Sequence, residues 1–402
     1  MVERPGQFDY RYVSSEIVYG RGCVETLSET LADAGFERAL VVCGSNVGAN
    51  RAVMDPLEAG LADRLGGVFD ETTPEKRIET VLDGVDRITA DSIDVLVGVG
   101  GGSSLNVMRA MSSIAALEAD RDSVLETVTE TGSVPAPDQS QTPIPNIAIP
   151  TTMAGADLSV GGSVFYDAEP ETDKPLLRRA GIGDSRLRAM AAFYDPELFA
   201  TTPTSVLASS AMNGFNKGIE TLYSRSTNAL CDANAISGLS YYCDSLPHLT
   251  AEPLEETVID KAVLGTIQIQ FGKFTNIIHT FGNGIALQYD VQQGVVHGIM
   301  APHVLRYVFD RVDGKRRMVA DGLGVETEAA TDSEIAAEIV DTVIDIRDSL
   351  DLLSQLRTVP GLERAHLPAI AETIASNGKH RRNPPGLDPT VGEITTILES
   401  AW

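Results

Sequence analysis

Apolar residues follow two different rhythms along this chain. In the first half, short unbroken apolar runs alternate with helical patterns. "ALVVCG" (39–44) reads as a buried strand, followed by a polar turn and the helical "ANRAVMDPLEAGLADRL". "GGVFDET" opens a second unit with "PEKRIETVLDGVDRITA" as its helix, and "IDVLVGVG" (93–100) runs into "GGSSLNVMRAMSSIAALEA", helical after its glycines. "IPNIAIPTT" (144–152) is another strand. Strands apolar at every position are covered on both faces, which predicts a parallel sheet in an open α/β domain. "GSVFYDAEPETDK" predicts a hairpin arm with its turn marked by Pro170.

From about residue 188 the rhythm changes to that of helices. "TSVLASSAMNGFNKGIETLYS", "LCDANAISGLSYYCDSL", "ETVIDKAVLGTIQIQFGKFTNIIHTFGNGIAL", "GIMAPHVLRYVFDRV" and "SEIAAEIVDTVIDIRDSLDLL" all carry helical periodicity, and strand signals are sparse from here to Trp402. The expected organisation is an α/β domain over 1–188 and a helical domain over 189–402, with the boundary near Arg188. A chain of 402 residues exceeds one ordinary core, which agrees with two domains.

Charge changes the picture more than composition does. Aspartate and glutamate number 57 against 31 lysines and arginines, a formal charge of −26, and only seven residues are lysine. Such self-repulsion destabilises a compact chain in dilute buffer and is screened in concentrated salt. The expectation is a salt-rich cytoplasm and no nucleic-acid partner. The apolar runs are too short to span a bilayer, and the charged amino-terminal stretch holds no apolar segment, so neither a membrane nor a secretory signal is expected. Cys23, Cys43, Cys231 and Cys243 show no CxxC pairing and read as reduced, small apolar residues.

Candidate chemistry starts at "VGVGGGSSLNVMRA", where Gly100, Gly101, Gly102 and Ser103 lie between a strand and a helix. Glycines admit close approach of backbone N–H groups to a pyrophosphate, and a helix N-terminus adds partial positive charge. A tight turn without a ligand is the plain alternative.

"GGGSSLN" with "MRA", "IPTTMAGADLS", "YDPELFATTP", "AMNGFNKGIETLYS", "IIHTFGNGIALQYDVQQGVVHGIMAPHV" and "NPPGLDPTVGEITTILESAW" occur in this order over nearly the whole chain. In this the sequence resembles the iron-containing (group III) alcohol dehydrogenases. The resemblance implies a nucleotide-binding α/β domain, a helical domain carrying the metal, hydride transfer in the cleft between them, and a homodimer or larger assembly. Nucleotide contacts carried over are Gly44, Gly100, Gly101, Gly102, Ser103, Asn106, Thr151 and Thr152. The family's GGGSxxDxxK pattern has Asn106 for its aspartate and Arg109 for its lysine.

The family's metal ligands, an aspartate and three histidines, fall on Asn213, Lys217, His279 and Gln293, and a further histidine near the nicotinamide falls on Asn283. Divalent cations want carboxylate or neutral imidazole, and this set offers two amides, one imidazole and a cation. No metal is expected. Met212–Asn213, the "TTMAGADLS" form and His297, four residues after Gln293, lean toward the maleylacetate-reductase branch, whose members are not metal-dependent. Gly44 stands where NAD-preferring relatives carry an aspartate on the ribose. Its lack of a carboxylate implies that NADP(H) is accepted at least as well as NAD(H).

Asn213 and Lys217 are four apart, hence on one helix face. An ammonium aimed at the reacting oxygen can take over the polarising role of a metal, and a partly desolvated site would ease proton donation. Lys217 is therefore the expected electrostatic and acid catalyst. His279 is a second acid–base candidate, and Asn213, Gln293 and Asn283 are orienting groups. A solvated surface lysine and a satisfied core histidine are the plain alternatives. The expected substrate is an anionic carbonyl compound. Arg178, Arg179, Arg186 and Arg188 can reach an anion or can simply offset surface acids. Two other functional classes stay open: a Schiff-base lyase or aldolase using Lys217, and a nucleotide-binding protein without redox activity.

Overall fold

The computed structural model describes Phe8 and residues 15–168, 176–272 and 274–402. Six strands form one sheet: β1 (Glu16–Tyr19), β2 (Ala39–Gly44), β3 (Leu65–Thr72), β4 (Val95–Gly100), β5 (Asn146–Pro150) and, last in the chain, the strand Ala191–Tyr194. With the hairpin strands β6 (Gly161–Ala168) and β7 (Leu176–Gly183) counted in chain order, that last strand is β8. The sheet order is β1-β8-β5-β4-β2-β3, and every neighbouring pair is parallel. Odd-numbered apolar residues of the central strands, among them Val41, Val97, Ile147 and Phe193, enter one core with Val24, Leu27, Leu31 and Leu57. The uninterrupted apolar strands expected for a sheet covered on both sides are thus found where periodicity placed them.

The order carries information. From β2 the chain moves outward to β3, then crosses back to lay β4 on the other side of β2. The carboxyl ends of β2 and β4 therefore flank a topological switch point, the crevice where open α/β sheets take ligands. Those ends are Gly44 and Gly100. β6 and β7 pair antiparallel as a separate hairpin, and the turn assigned to Pro170 lies outside the described residues.

The chain divides into two compact units, one holding Ala156–Thr202 with the described chain from Ser15 to Thr152, the other Pro203–Trp402 with Met153–Gly155. The break falls at Pro203, past the Arg188 inferred from periodicity. β8 is only four residues long, too short to register against the helical background, yet it inserts between β1 and β5.

The second unit is helical in its described residues. Its long helices include Thr204–Tyr223, Ala229–Ser245, Glu256–Ile269, Ile277–Ala286, Gln293–Arg311 and Asp332–Ser349. The stretch 256–287, helical in period throughout, is two helices. Asn276 breaks it: its side chain accepts from Ile277 N (2.7 Å) to start a new helix and donates to the Glu220 carbonyl oxygen (3.0 Å). That break sets His279 in the first turn of its helix.

Candidate functional site

Within the helical unit a polar cluster lies between helices, with Glu220, His279 and Asn213 buried and Lys217, Asn283 and Gln293 partly exposed. Asn213, Lys217 and Glu220 project from one face of the Thr204–Tyr223 helix at spacings of four and three. Glu220 is fully buried and accepts from the backbone N–H of His279 (3.1 Å), while its second oxygen meets His279 Nδ1. On the far side of the ring, Nε2 lies 3.1 Å from Asn213 Oδ1. Asn213 Nδ2 donates to Gln293 Oε1 (3.4 Å), and Gln293 Nε2 donates to Asn283 Oδ1.

Counting donors fixes the protons. An amide oxygen accepts, so His279 Nε2 carries the hydrogen toward Asn213, and the neutral ring presents a bare Nδ1. The Glu220 carboxyl must then supply that proton. The electrostatics agree: burial pushes Glu220 up to about 8 against the lowering pull of the His279 N–H. Burial holds His279 well below the ordinary imidazole value, aided by the positive fields of Lys379 and Lys217. The pair is a carboxylic acid hydrogen-bonded to a neutral imidazole.

Lys217 is half-buried, and its ammonium donates to the carbonyls of Ala154 and of Gly155 (2.9 Å). The solvated-surface alternative is set aside by this geometry. His297 lies against His279, ring centroids 4.2 Å apart, fully buried with neither nitrogen hydrogen-bonded. Burial, then His279, holds it neutral. His303 bonds Ser400 Oγ through Nδ1 (2.9 Å) and is structural.

These side chains do not fit a divalent metal. The Asn213 and Gln293 oxygens are occupied by N–H donors, His279 Nε2 is protonated in this network, and the remaining position is a cation. Among the described residues no group of three or more His, Cys, Asp or Glu could hold a metal ion. Sequence reasoning passed over Glu220. Its signal was a lone acid one turn beyond Lys217 on a helix with no other carboxylate, but its role depends on His279, 59 residues away.

In the α/β unit the glycine loop ends β4 and starts the helix Gly102–Ile114. Gly100 has φ +122°, open to glycine and rarely to other residues. Gly101 is the N-cap and provides no side-chain cap, so the first-turn N–H groups of Gly102 and Ser103 suit a phosphate. Thr151 N donates to Gly100 O (3.2 Å), and Thr152 Cγ2 lies 3.3 Å from where a Gly101 side chain would begin. Gly100, Gly101, Gly102, Ser103, Thr151 and Thr152 are thus together at the switch point, and this cradle fits a dinucleotide.

Gly44 ends β2, and a Cβ there would stand 3.0 Å from the Thr72 carbonyl oxygen, a tight approach. Asn106 accepts from Arg109 Nη1 (3.3 Å) and packs on Gly162. Arg109 is wholly buried and donates to the carbonyls of Ala156 and Asp157 (2.7 and 2.8 Å); desolvation lowers it to about 10. It holds a loop. Arg186 binds Asp184 and three carbonyls, and Arg188 binds Leu158 O (2.8 Å), so both are structural. Arg178 and Arg179 are exposed on β7.

A six-stranded parallel sheet with a glycine cradle at its switch point, joined to a helical unit with a buried acid–imidazole pair, is the frame of a nucleotide-dependent oxidoreductase. Residues 14–196 match the iron-containing alcohol dehydrogenase family, and residues 207–402 match its C-terminal counterpart. The chain belongs to that family and is an alcohol-dehydrogenase-like oxidoreductase. It is 24% identical over 392 residues to a lactaldehyde reductase of Escherichia coli (strain K12), covering 96% of this chain and 97% of the relative. A maleylacetate reductase of Cupriavidus pinatubonensis is 22% identical over 308 residues, 75% of each chain. A crystal structure of 1,3-propanediol oxidoreductase shares the fold with a TM-score of 0.86 at 19% identity, covering 99% of this chain and all of that one.

Proposed function

We propose that this chain reduces a carbonyl compound bearing an anionic group, or oxidises the matching alcohol, with NADP(H) or NAD(H), without a divalent metal, and with Lys217 polarising the reacting oxygen. One observation carries this: the Lys217 ammonium is anchored on two carbonyls, one helical turn from Asn213. Reduction builds negative charge on oxygen, and a positioned cation in partly desolvated surroundings stabilises that charge without reorganising. The dinucleotide, when bound, supplies or accepts the hydride. The uncapped first turn at Gly101 holds its phosphates. Lys217 donates a hydrogen bond to the developing oxyanion and then a proton. Burial keeps His279 neutral, Glu220 orients the ring with its Nε2–H toward Asn213, and Asn213, Gln293 and Asn283 extend that order through side-chain amides.

The absence of a carboxylate at Gly44 supports NADP(H). An anionic substrate agrees with the fixed cation and with the dicarboxylate that gives the maleylacetate reductase relative its name. A Schiff-base role needs the free amine at rest, whereas the acid role starts from the ammonium that donates to the two carbonyls. A homodimer in a salty cytoplasm completes the proposal, and sedimentation tests the assembly. The deciding experiment is exhaustive chelation followed by assay with NADPH and a carboxylated aldehyde. Activity is expected to survive and to gain nothing from Zn²⁺ or Fe²⁺. Abolition by the chelator with recovery on adding either ion overturns the metal-independent mechanism.

A further inference from the structure

Two cations in the α/β unit stand together where an acidic protein would be expected to neutralise them. Lys76 follows β3 by four residues in the turn Thr73–Lys76, closed by a hydrogen bond from Lys76 N to Thr73 O (3.1 Å). Its φ of +50° is unfavourable for a side chain of this kind. The turn is pinned to the hairpin, because Phe165 N donates to Lys76 O (2.9 Å). Lys76 Nζ then lies 5.0 Å from the centroid of the Phe165 ring. Arg179 is directly opposite Phe165 in the β6–β7 register, so both side chains stand on one face of the hairpin.

Two neighbouring acids, Asp167 and Glu79, are committed to Arg77. Arg77 takes Asp167 through both guanidinium nitrogens and also pairs with Glu79. Among the described residues neither Lys76 nor Arg179 makes an ion pair with a carboxylate. Burial and then the field of Arg179 lower Lys76 to about 8. With a formal charge of −26 and seven lysines in the chain, a cation pair with no carboxylate partner among the described residues, on a strained turn, is not what surface solvation selects. The turn follows the carboxyl end of β3, on the same edge of the parallel sheet as Gly44 and Gly100.

We infer that Lys76 and Arg179, with Phe165 as an apolar floor, form a binding site for an oxyanion, a phosphate or a carboxylate, carried by a ligand at the carboxyl edge of the sheet. The reductase proposal is needed only to name the ligand's source, cofactor or substrate. Guanidinium binds such groups through paired N–H donors and ammonium as a point charge, so together they take a group with two or more oxygens.

The test uses the full-length protein at fixed ionic strength. Inorganic phosphate is titrated by calorimetry into wild type, Lys76→Gln, Arg179→Gln and Arg179→Lys. Each Gln variant is expected to weaken binding by about tenfold and Arg179→Lys by less. Two matched pairs then separate the sources. If the Gln variants weaken 2′,5′-ADP more than 5′-ADP, the oxyanion is the cofactor's 2′-phosphate. If they raise KM for 4-oxobutanoate and leave butanal unchanged, it is the substrate's carboxylate. Either outcome supports the site. Phosphate affinity within twofold of wild type, with both pairs undisturbed, overturns it. Failure of the reductase proposal would show separately, as wild type turning over neither aldehyde, and the phosphate titration would still decide the site.

Discussion

Lys217 and Glu220 sit three residues apart on one helix and meet opposite electrostatic fates. The ammonium is stabilised by carbonyl dipoles, whereas the carboxyl is pushed toward neutrality by burial. Replacing Lys217 with Met removes the cation at similar length. It is expected to lower kcat by ~10²-fold or more, with NADPH affinity within about twofold and partial recovery in Lys217→Arg. Steady-state kinetics with fluorescence titration of the cofactor checks this; unchanged kcat with reduced thermal stability would make Lys217 a strut. Glu220 gives a pH prediction. Its folded value is raised from 4.5 to about 8, so in that interval the folded protein keeps a proton that the unfolded chain has released. The stability it contributes is complete below about pH 4.5 and is lost as pH rises through about 8. The unfolding free energy of wild type minus that of Glu220→Gln should therefore fall across this window, by up to a few kcal/mol, and level off above it. Urea denaturation at pH 5, 6.5 and 8.5 measures the difference; a flat line means Glu220 is ionised throughout.

Helix contacts decide whether those residues meet. Gly294 opens the Gln293–Arg311 helix where a Cβ would lie 1.7 Å from the Ser209 carbonyl oxygen, backbone that cannot swing aside. Gly294→Ala must separate this helix from Thr204–Tyr223 and pull Gln293 off Asn213. A loss of roughly 2–4 kcal/mol is expected, with kcat falling in parallel, measured by chemical denaturation and assay; a stable, active variant would refute this account of the contact. The Asn213–Lys217 face was legible because helical period alone places residues four apart together. The break at Asn276 was not, because apolar period runs through it and its cause is a hydrogen bond to Glu220 O on another helix. β1 and β8, four residues each, are short strands whose partners are far away in sequence.

At the scale of the molecule, the charge of −26 is the dominant long-range term. Many of its arginines pair locally, as Arg121 does with Asp83 and Asp86, but the excess of acids remains. Raising KCl from about 0.1 M to about 2 M shortens the screening length to a few ångströms and should raise Tm by several degrees, with NaCl acting alike; calorimetric scans that do not move with salt would remove the salt-adaptation proposal. Among the described residues no helix is long and apolar enough to cross a membrane. The two-unit division appeared in the change of rhythm along the chain, but its position at Pro203 depended on which strand completes the sheet.

Local pattern, by itself, determined that strands and helices alternate before a helical half, that a glycine turn follows β4, and that Asn213 and Lys217 share one helix face. Those features depend on near neighbours, and spacing along the chain reports near neighbours faithfully. Tertiary structure alone decided that Glu220 holds His279, that Lys217 rests on the carbonyls of Ala154 and Gly155, and that Lys76 lies over the Phe165 ring with Arg179 opposite it in the hairpin register. Each of these joins segments brought together by packing, and the protonation of a buried group follows from the atoms packed around it.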